Sequence, residues 1–241
     1  VTSARSAAEN PSPRQLARAA GFFYLITIVA GVFAEMMVRG RLVVRDDAAA
    51  TAANILSHER LYRLGLAADL VMLMAYIVVT LLLFILLRPV NRRVSLGAAL
   101  FSLVGIAVLA VNSLNHLAPL ILLGPHAPTA FEPAQLQSLA FMAIKMHSRG
   151  YAISGVFFGV YCVLIGYLAL KSGFLPRFIG ALMILGGFGY LISSFTGLTS
   201  PALAARLPDI TIVGGIAELA LCLWLLVKGV NVSKWESCEQ G

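Results

Sequence analysis

Six apolar stretches, roughly 16 to 38, 61 to 87, 94 to 122, 150 to 170, 178 to 197 and 209 to 228, follow one another with little charge inside them. Each reaches the about 20 residues that a helix needs to cross a hydrocarbon core. Within such a core every backbone N–H and C=O must find a partner inside the protein, and for stretches of this length that means helix. The chain therefore reads as all-α, an integral membrane bundle of six transmembrane helices. Composition agrees, since 59% of the residues are hydrophobic and only 12% charged, well outside the range of a soluble globule. Little chain remains for anything else. Residues 1 to 13 read as a flexible cytoplasmic lead, 14 to 229 as a single membrane domain and 230 to 241 as a cytoplasmic tail.

The net charge of +7 is not joined by an arginine-rich arm or an aromatic-basic platform, so nucleic acid is not an expected partner. The charge speaks to topology. Arg88, Arg92 and Arg93, Lys171 and Arg177, and the flanking Arg14, Arg18, Lys228 and Lys234 all fall on one side, which the positive-inside rule makes cytoplasmic. Both termini are then expected inside. Arg39, Arg41, Arg45, Arg60 and Arg63 gather on the other side beside Asp46 and Asp47. Arg14 and Arg18 followed by GFFYLITIVAGVFA look like a signal peptide cleaved after Ala34, but the apolar run continues through Val38, so a retained helix is expected.

Two short outer interfacial helices are expected between spans. Asp46 and Asp47 can cap AAATAANILSHERLY, which leads into the second span. Pro125, Pro128 and Pro133 break the chain before AQLQSLAFMAIKMH, whose Leu136, Leu139, Ala143 and Met146 share a face suited to the membrane surface. Each such element precedes a span, a basic turn with proline and a Gly-Ala opening, RRVSLGAAL against RFIGALMIL, a faint internal repeat. Gly155 and Gly159, and Gly189, Ser193 and Gly197, stand at four-residue spacing that lets helices approach closely, within one chain or between copies. Cys162, Cys222 and Cys238 show neither metal nor disulfide spacing.

The last span carries Glu218 in its middle. An acid there costs about 2.5 to 3.5 kcal/mol on insertion scales, and each Ile, Leu or Val returns about 0.3 to 0.6. Ten such residues between Ile210 and Val227 outweigh it, so the acid is carried but needs a partner or a proton. Helical spacing sets it on a stripe with Thr211, Gly214, Gly215 and Cys222, and similar stripes recur: Tyr24, Thr27, Gly31 and Glu35; Tyr62, Gly65, Asp69, Tyr76 and Thr80; Ser102, Gly105, Asn112 and His116; His147, Ser154 and Tyr161. Counting about 1.5 Å per residue from the basic inner ends places Glu218, Tyr76 and Tyr161 at one level, with Glu35, Asp69 and Asn112 higher. This describes an outward-facing polar funnel with Glu218 at its floor and those six residues as its ligand-binding candidates.

Plainer roles stand beside these. Glu218 as a structural acid would be protonated or bond to Tyr76 or Tyr161, and Glu35 and Asp69 would meet water or pair with Arg149 or Arg63. His116 and His147 with a carboxylate are candidates for a metal or a haem, though no cofactor is expected, and His58 and His126 in outer loops carry no assignment. No Ser-His-Asp order and no HExxH motif is present, so nothing in the residues points to catalysis.

The run FFGVYCVLIGYLALKSGFLPRFIGALMILGGFGYLISSF, with VRGRLVVRDDAAATAANIL, RLGLAADL, LLRPVNRR and ELALCLWLLVKG, resembles a family of bacterial multi-pass membrane proteins classed as a domain of unknown function, family 4386. The resemblance runs from about Ala17 to Gly229, and the turn from Gly166 to Arg177 is its most specific part. It implies a bacterial inner-membrane protein and brings no activity, substrate or cofactor. It also implies that Tyr161 occupies a position where a histidine often stands, which speaks for a hydrogen-bonding partner at the level of Glu218 and against an obligatory metal ligand.

Three functions remain open from sequence. The first is binding or transport of a small apolar or cationic ligand, with the bilayer and a small molecule or lipid as partners. The second is a structural or interaction protein of the membrane without ligand. The third is an intramembrane metal-dependent hydrolase or haem protein using His116, His147, Glu35 and Asp69.

Overall fold

In a computed structural model, residues 12 to 125 and 127 to 240 are described, Pro201 by its backbone alone. Residues 1 to 11 of the expected lead and His126 lie outside the described residues. The described chain is helical throughout, without a strand. Helix α1 runs Pro13–Leu42, α2 Ala48–Ser57, α3 Glu59–Leu87, α4 Arg92–Leu122, α5 Pro133–Ser172, α6 Arg177–Thr199, α7 Pro201–Ala204, α8 Thr211–Val227 and α9 Val232–Gln240.

The starts follow local chemistry. Ser12 and Gln15 satisfy each other's backbone N–H in a capping box, and Pro13 opens α1 where its missing donor costs nothing. Asp47 accepts from the Ala50 N–H at 2.8 Å to start α2, and Asn91 accepts from the Val94 N–H at 3.0 Å to start α4. Gly173, at φ 67°, ends α5 in a left-handed turn that favours glycine.

Five helices, α1, α3, α4, α5 and α6, are long and apolar enough to cross a membrane. A sixth is counted when α8, of 17 residues, is joined with α9 across a 99° bend. These apolar helices mark a membrane protein. Around the ring each helix packs on the next in the order α1, α3, α4, α5, α6, α8 and back to α1. Leu81, Val111, Leu185 and Ile216 stand exposed on its perimeter, the pattern of a protein whose outer solvent is lipid. Glycines set the tightest seam: a Cβ on Gly166 would lie 2.6 Å from the Gly180 oxygen and one on Gly187 2.7 Å from the Gly159 oxygen. The seven-residue pairs Gly159/Gly166 and Gly180/Gly187 thus interlock α5 and α6 within the chain.

Two features differ from expectation and a third adds to it. The segment AQLQSLAFMAIKMH is not a separate interfacial helix: α5 continues unbroken for 40 residues, about 60 Å against a core of about 30 Å. No proline interrupts it after Pro133, and Gly150 lies within it, bare where a Cβ would collide with the Asn112 carboxamide. Helix α2 is distinct from α3, broken at His58, and lies against α5 with Thr51, Ala52 and Ile55 buried. The tail is also ordered: the Trp235 indole N–H in α9 donates to the Leu86 carbonyl at 2.8 Å, and the Asn231 N–H to the Phe174 carbonyl at 3.4 Å. Helix α9 therefore sits at the end of the ring that holds the turns after α3 and α5, here the turn end. The opposite end is the loop end.

Candidate functional site

All six ring helices wall a central cavity of about 760 Å³. Its lining is mainly apolar, with Ile28, Ile106 and Phe158 among the contributors, and Tyr76, Tyr190 and Glu218 stand among several polar residues there. Gly214 leaves the space that the Tyr190 ring fills, so α6 and α8 close enough for the Tyr190 hydroxyl to donate to Glu218 Oε1 at 2.6 Å. The Tyr24 hydroxyl donates to Oε2 at 3.2 Å. Among the described residues no Lys, Arg or His pairs with this carboxylate. Glu218 is therefore an acid on a cavity wall held by hydroxyls alone.

Toward the loop end lies a second polar group, built on α1, α3, α4 and α5. Residues Phe33–Arg39 of α1 form a π-helical stretch, a widening that often accompanies functional residues. A Cβ on Gly65 would meet Val38 Cγ1 at 2.8 Å. This bare position lets α1 approach α3, and Arg39 reaches Asp69 one turn beyond Gly65. Arg39 donates through Nη1 to Asp69 Oδ2 at 2.5 Å and through Nη2 to Oδ1 at 3.3 Å. His116 Nδ1 lies 3.0 Å from Asp69 Oδ2, and the Tyr151 hydroxyl donates to Oδ1 at 3.3 Å. Arg39 Nε donates to Glu35 Oε2 at 2.9 Å. Four neighbouring contacts around one carboxylate are what a buried charge requires. Tyr151 also lines the cavity, so it joins the two polar groups.

The sequence candidates divide between these places. Glu218 and Tyr76 line the cavity. Tyr161 is fully buried behind its wall, its ring 6.0 Å from that of Tyr76, and neither hydroxyl has a hydrogen-bond partner among the described residues. The expected bonds from Glu218 to Tyr76 or Tyr161 are thus replaced by bonds from Tyr24 and Tyr190, because Gly214 admits α6 and α1 faces α8. Asp69 belongs to the second group, Glu35 stands on its rim with a side chain 67% exposed, and Asn112 donates to the His147 carbonyl at 2.8 Å. Of the two roles expected for Glu35 and Asp69, contact with water or pairing with Arg149 or Arg63, the pairing is replaced: Arg63 pairs with Glu59, Arg149 donates to the Gly197 carbonyl, and Arg39 bonds to both acids, of which Glu35 stays largely exposed. Sequence reasoning passed over Arg39, grouped with the loop arginines, and Tyr190. Their signals were the four-residue spacing from Glu35 to Arg39 and the glycines preceding Tyr190.

Asp69, His116 and His147 offer ligand atoms within 4.8 Å of one another. As placed, they do not fit a divalent ion: Arg39 engages both Asp69 oxygens and its Nη1 stands 3.2 Å from His116 Nδ1, so a metal would sit against a guanidinium. The His116 and His147 rings touch edge to face at 5.3 Å, which leaves no gap for a haem between them.

A protein of Archaeoglobus fulgidus described as "Uncharacterized protein" is 27% identical over 158 residues, 66% of this chain and 79% of its own length. No solved structure matches the chain. The family model described as Domain of unknown function (DUF4386) matches residues 19–229, a stretch that takes in Glu218, Arg39 and Asp69. The chain belongs to that family.

Proposed function

We propose that the chain is a six-span protein of the bacterial inner membrane, both termini cytoplasmic, that binds or transports a small apolar or cationic molecule in its central cavity. Glu218 is the ionisable contact, with Tyr76 beside it. Helix α8 is the sixth span: its 17 residues cover about 26 Å, and six crossings return the chain to the basic turn end. Helix α2 and the first turns of α5 then lie outside.

The observation that carries the reading is the placement of Glu218 on the wall of a cavity of about 760 Å³ with two hydroxyl donors and no basic partner. That volume falls in the range of small-molecule sites, which are mostly apolar with a few polar contacts, and intramembrane acids mark ligand or ion paths more often than not. The same two hydroxyl bonds are what a structural acid would make, so the test must separate the two roles. Native mass spectrometry of gently purified protein should show a bound mass that disappears in Glu218→Gln. A variant that binds nothing less than wild type and only melts earlier would return Glu218 to a structural role.

A further inference from the structure

We infer that the cavity is loaded sideways from the bilayer, between α1 and α8, and that its ligand is a membrane-dissolved amphiphile with a basic head, an alkyl amine in chemical class. This rests on reading the cavity as a binding site.

The cavity wall is unevenly covered. Its exposed residues, Val32 at 45%, Leu219 at 42% and Gly215, all stand on α1 or α8. Those contributed by α3, α4, α5 and α6 are buried or half-buried. Near the turn end α1 and α8 are in tight contact: a Cβ on Gly21 would lie 2.5 Å from the Leu226 nitrogen, and Cys222 Sγ donates to the Gly21 carbonyl at 3.4 Å. The bond from Tyr24 to Glu218 is the next link. Beyond it toward the loop end the glycines of the two helices no longer meet the partner helix. A Cβ on Gly31 would face Met72 of α3, and one on Gly215 would meet nothing within 4 Å.

Both edges of this gap are apolar and outward-facing, with Val29 and Ile212 each 60% exposed. A molecule passing between them goes from hydrocarbon to an apolar cavity without crossing water, so a hydrocarbon tail lowers the barrier to entry. The route along the bundle axis is less open, because Arg39, Asp69 and His116 are buried across its loop end on α1, α3 and α4. Among the described residues of the lining the one carboxylate is Glu218, which has no cation and lies 3.2 Å from the Tyr24 hydroxyl at the base of the gap. An ammonium head completes that site by charge, and the apolar wall takes the chain.

The test uses purified full-length protein in lipid nanodiscs and radiolabelled dodecylamine, with dodecanol as the uncharged chain and butylamine as the chainless cation. Dodecylamine should bind at least about tenfold tighter than either, and Glu218→Gln should remove the advantage over dodecanol. Ile212→Trp and, on the facing edge, Val29→Trp narrow the gap without entering the wall. Either should slow uptake and release together by about tenfold, as a gate does when affinity is untouched. Folding of each variant is checked by its melting temperature, and the chain-length comparison needs no variant. Butylamine binding as tightly as dodecylamine, or unchanged rates in folded rim variants, would overturn lateral loading while Glu218-dependent binding upheld the cavity reading. If none of the three probes binds in a Glu218-dependent way, the cavity reading falls and this inference with it.

Discussion

Arg39 of α1 and Asp69 of α3 form an ion pair in which the side chains are only 9% and 3% exposed. It ties the π-helical stretch of α1 to the adjacent helix and, through His116 and Tyr151, reaches α4 and α5. Taking two charges out of water is expensive, and the arrangement holds because both guanidinium edges and both carboxylate oxygens are engaged.

Removing one partner should therefore be worse than removing both. Asp69→Ala leaves Arg39 buried without its main acceptor and should lower stability by about 3 to 5 kcal/mol, whereas Arg39→Met with Asp69→Leu should recover most of the loss. Thermal unfolding in mild detergent reads the difference. A double variant less stable than Asp69→Ala would mean that the pair itself, and not the avoidance of an unpaired charge, sustains the fold.

The two hydroxyl bonds on Glu218 differ in length, 2.6 Å from Tyr190 and 3.2 Å from Tyr24. A buried hydrogen bond contributes about 0.5 to 1.5 kcal/mol net, and about 1.5 to 3 when one partner is charged, so in either state of Glu218 Tyr190→Phe should cost more than Tyr24→Phe. Melting temperatures of the two variants should keep that order, and the reverse order would place the stronger bond on α1.

The glycines of α6 should respond unequally. Alanine at Gly187 drives a methyl toward the Gly159 oxygen 2.7 Å away, whereas at Gly197 nothing lies within 4 Å. Overpacking of a tight seam costs about 1 to 3 kcal/mol, so Gly187→Ala should destabilise the bundle while Gly197→Ala leaves it unchanged or slightly firmer through helix propensity. Equal melting of the two variants would show that α5 and α6 separate at little cost.

Much of this architecture was legible in one dimension. Apolar length located the five long helices, Ser12, Asp47 and Asn91 start helices through bonds to residues three positions away, and Gly173 ends one through its left-handed backbone. The extent of α5 was not, because no residue between Pro133 and Gly173 marks whether the surface stretch and the span share one helix, and the packing of Asn112 of α4 against Gly150 and the His147 carbonyl is a contact between distant segments. The stripe holding Glu218 was visible as a periodicity, but its partners were not. Tyr24 and Tyr76 stand on equally polar stripes of their helices, and only the contact of α1 with α8 selects Tyr24.

By itself the sequence determined that this is a helical membrane protein, since transfer into hydrocarbon sums over local residues and backbone groups there must pair within their own segment. Only the tertiary structure decided who meets whom. Tyr24 reaches Glu218 across 194 positions and Arg39 reaches Asp69 across 30, and a buried charge is satisfied by whatever neighbouring helices bring within bonding distance, a property of the assembled ring and of no single segment.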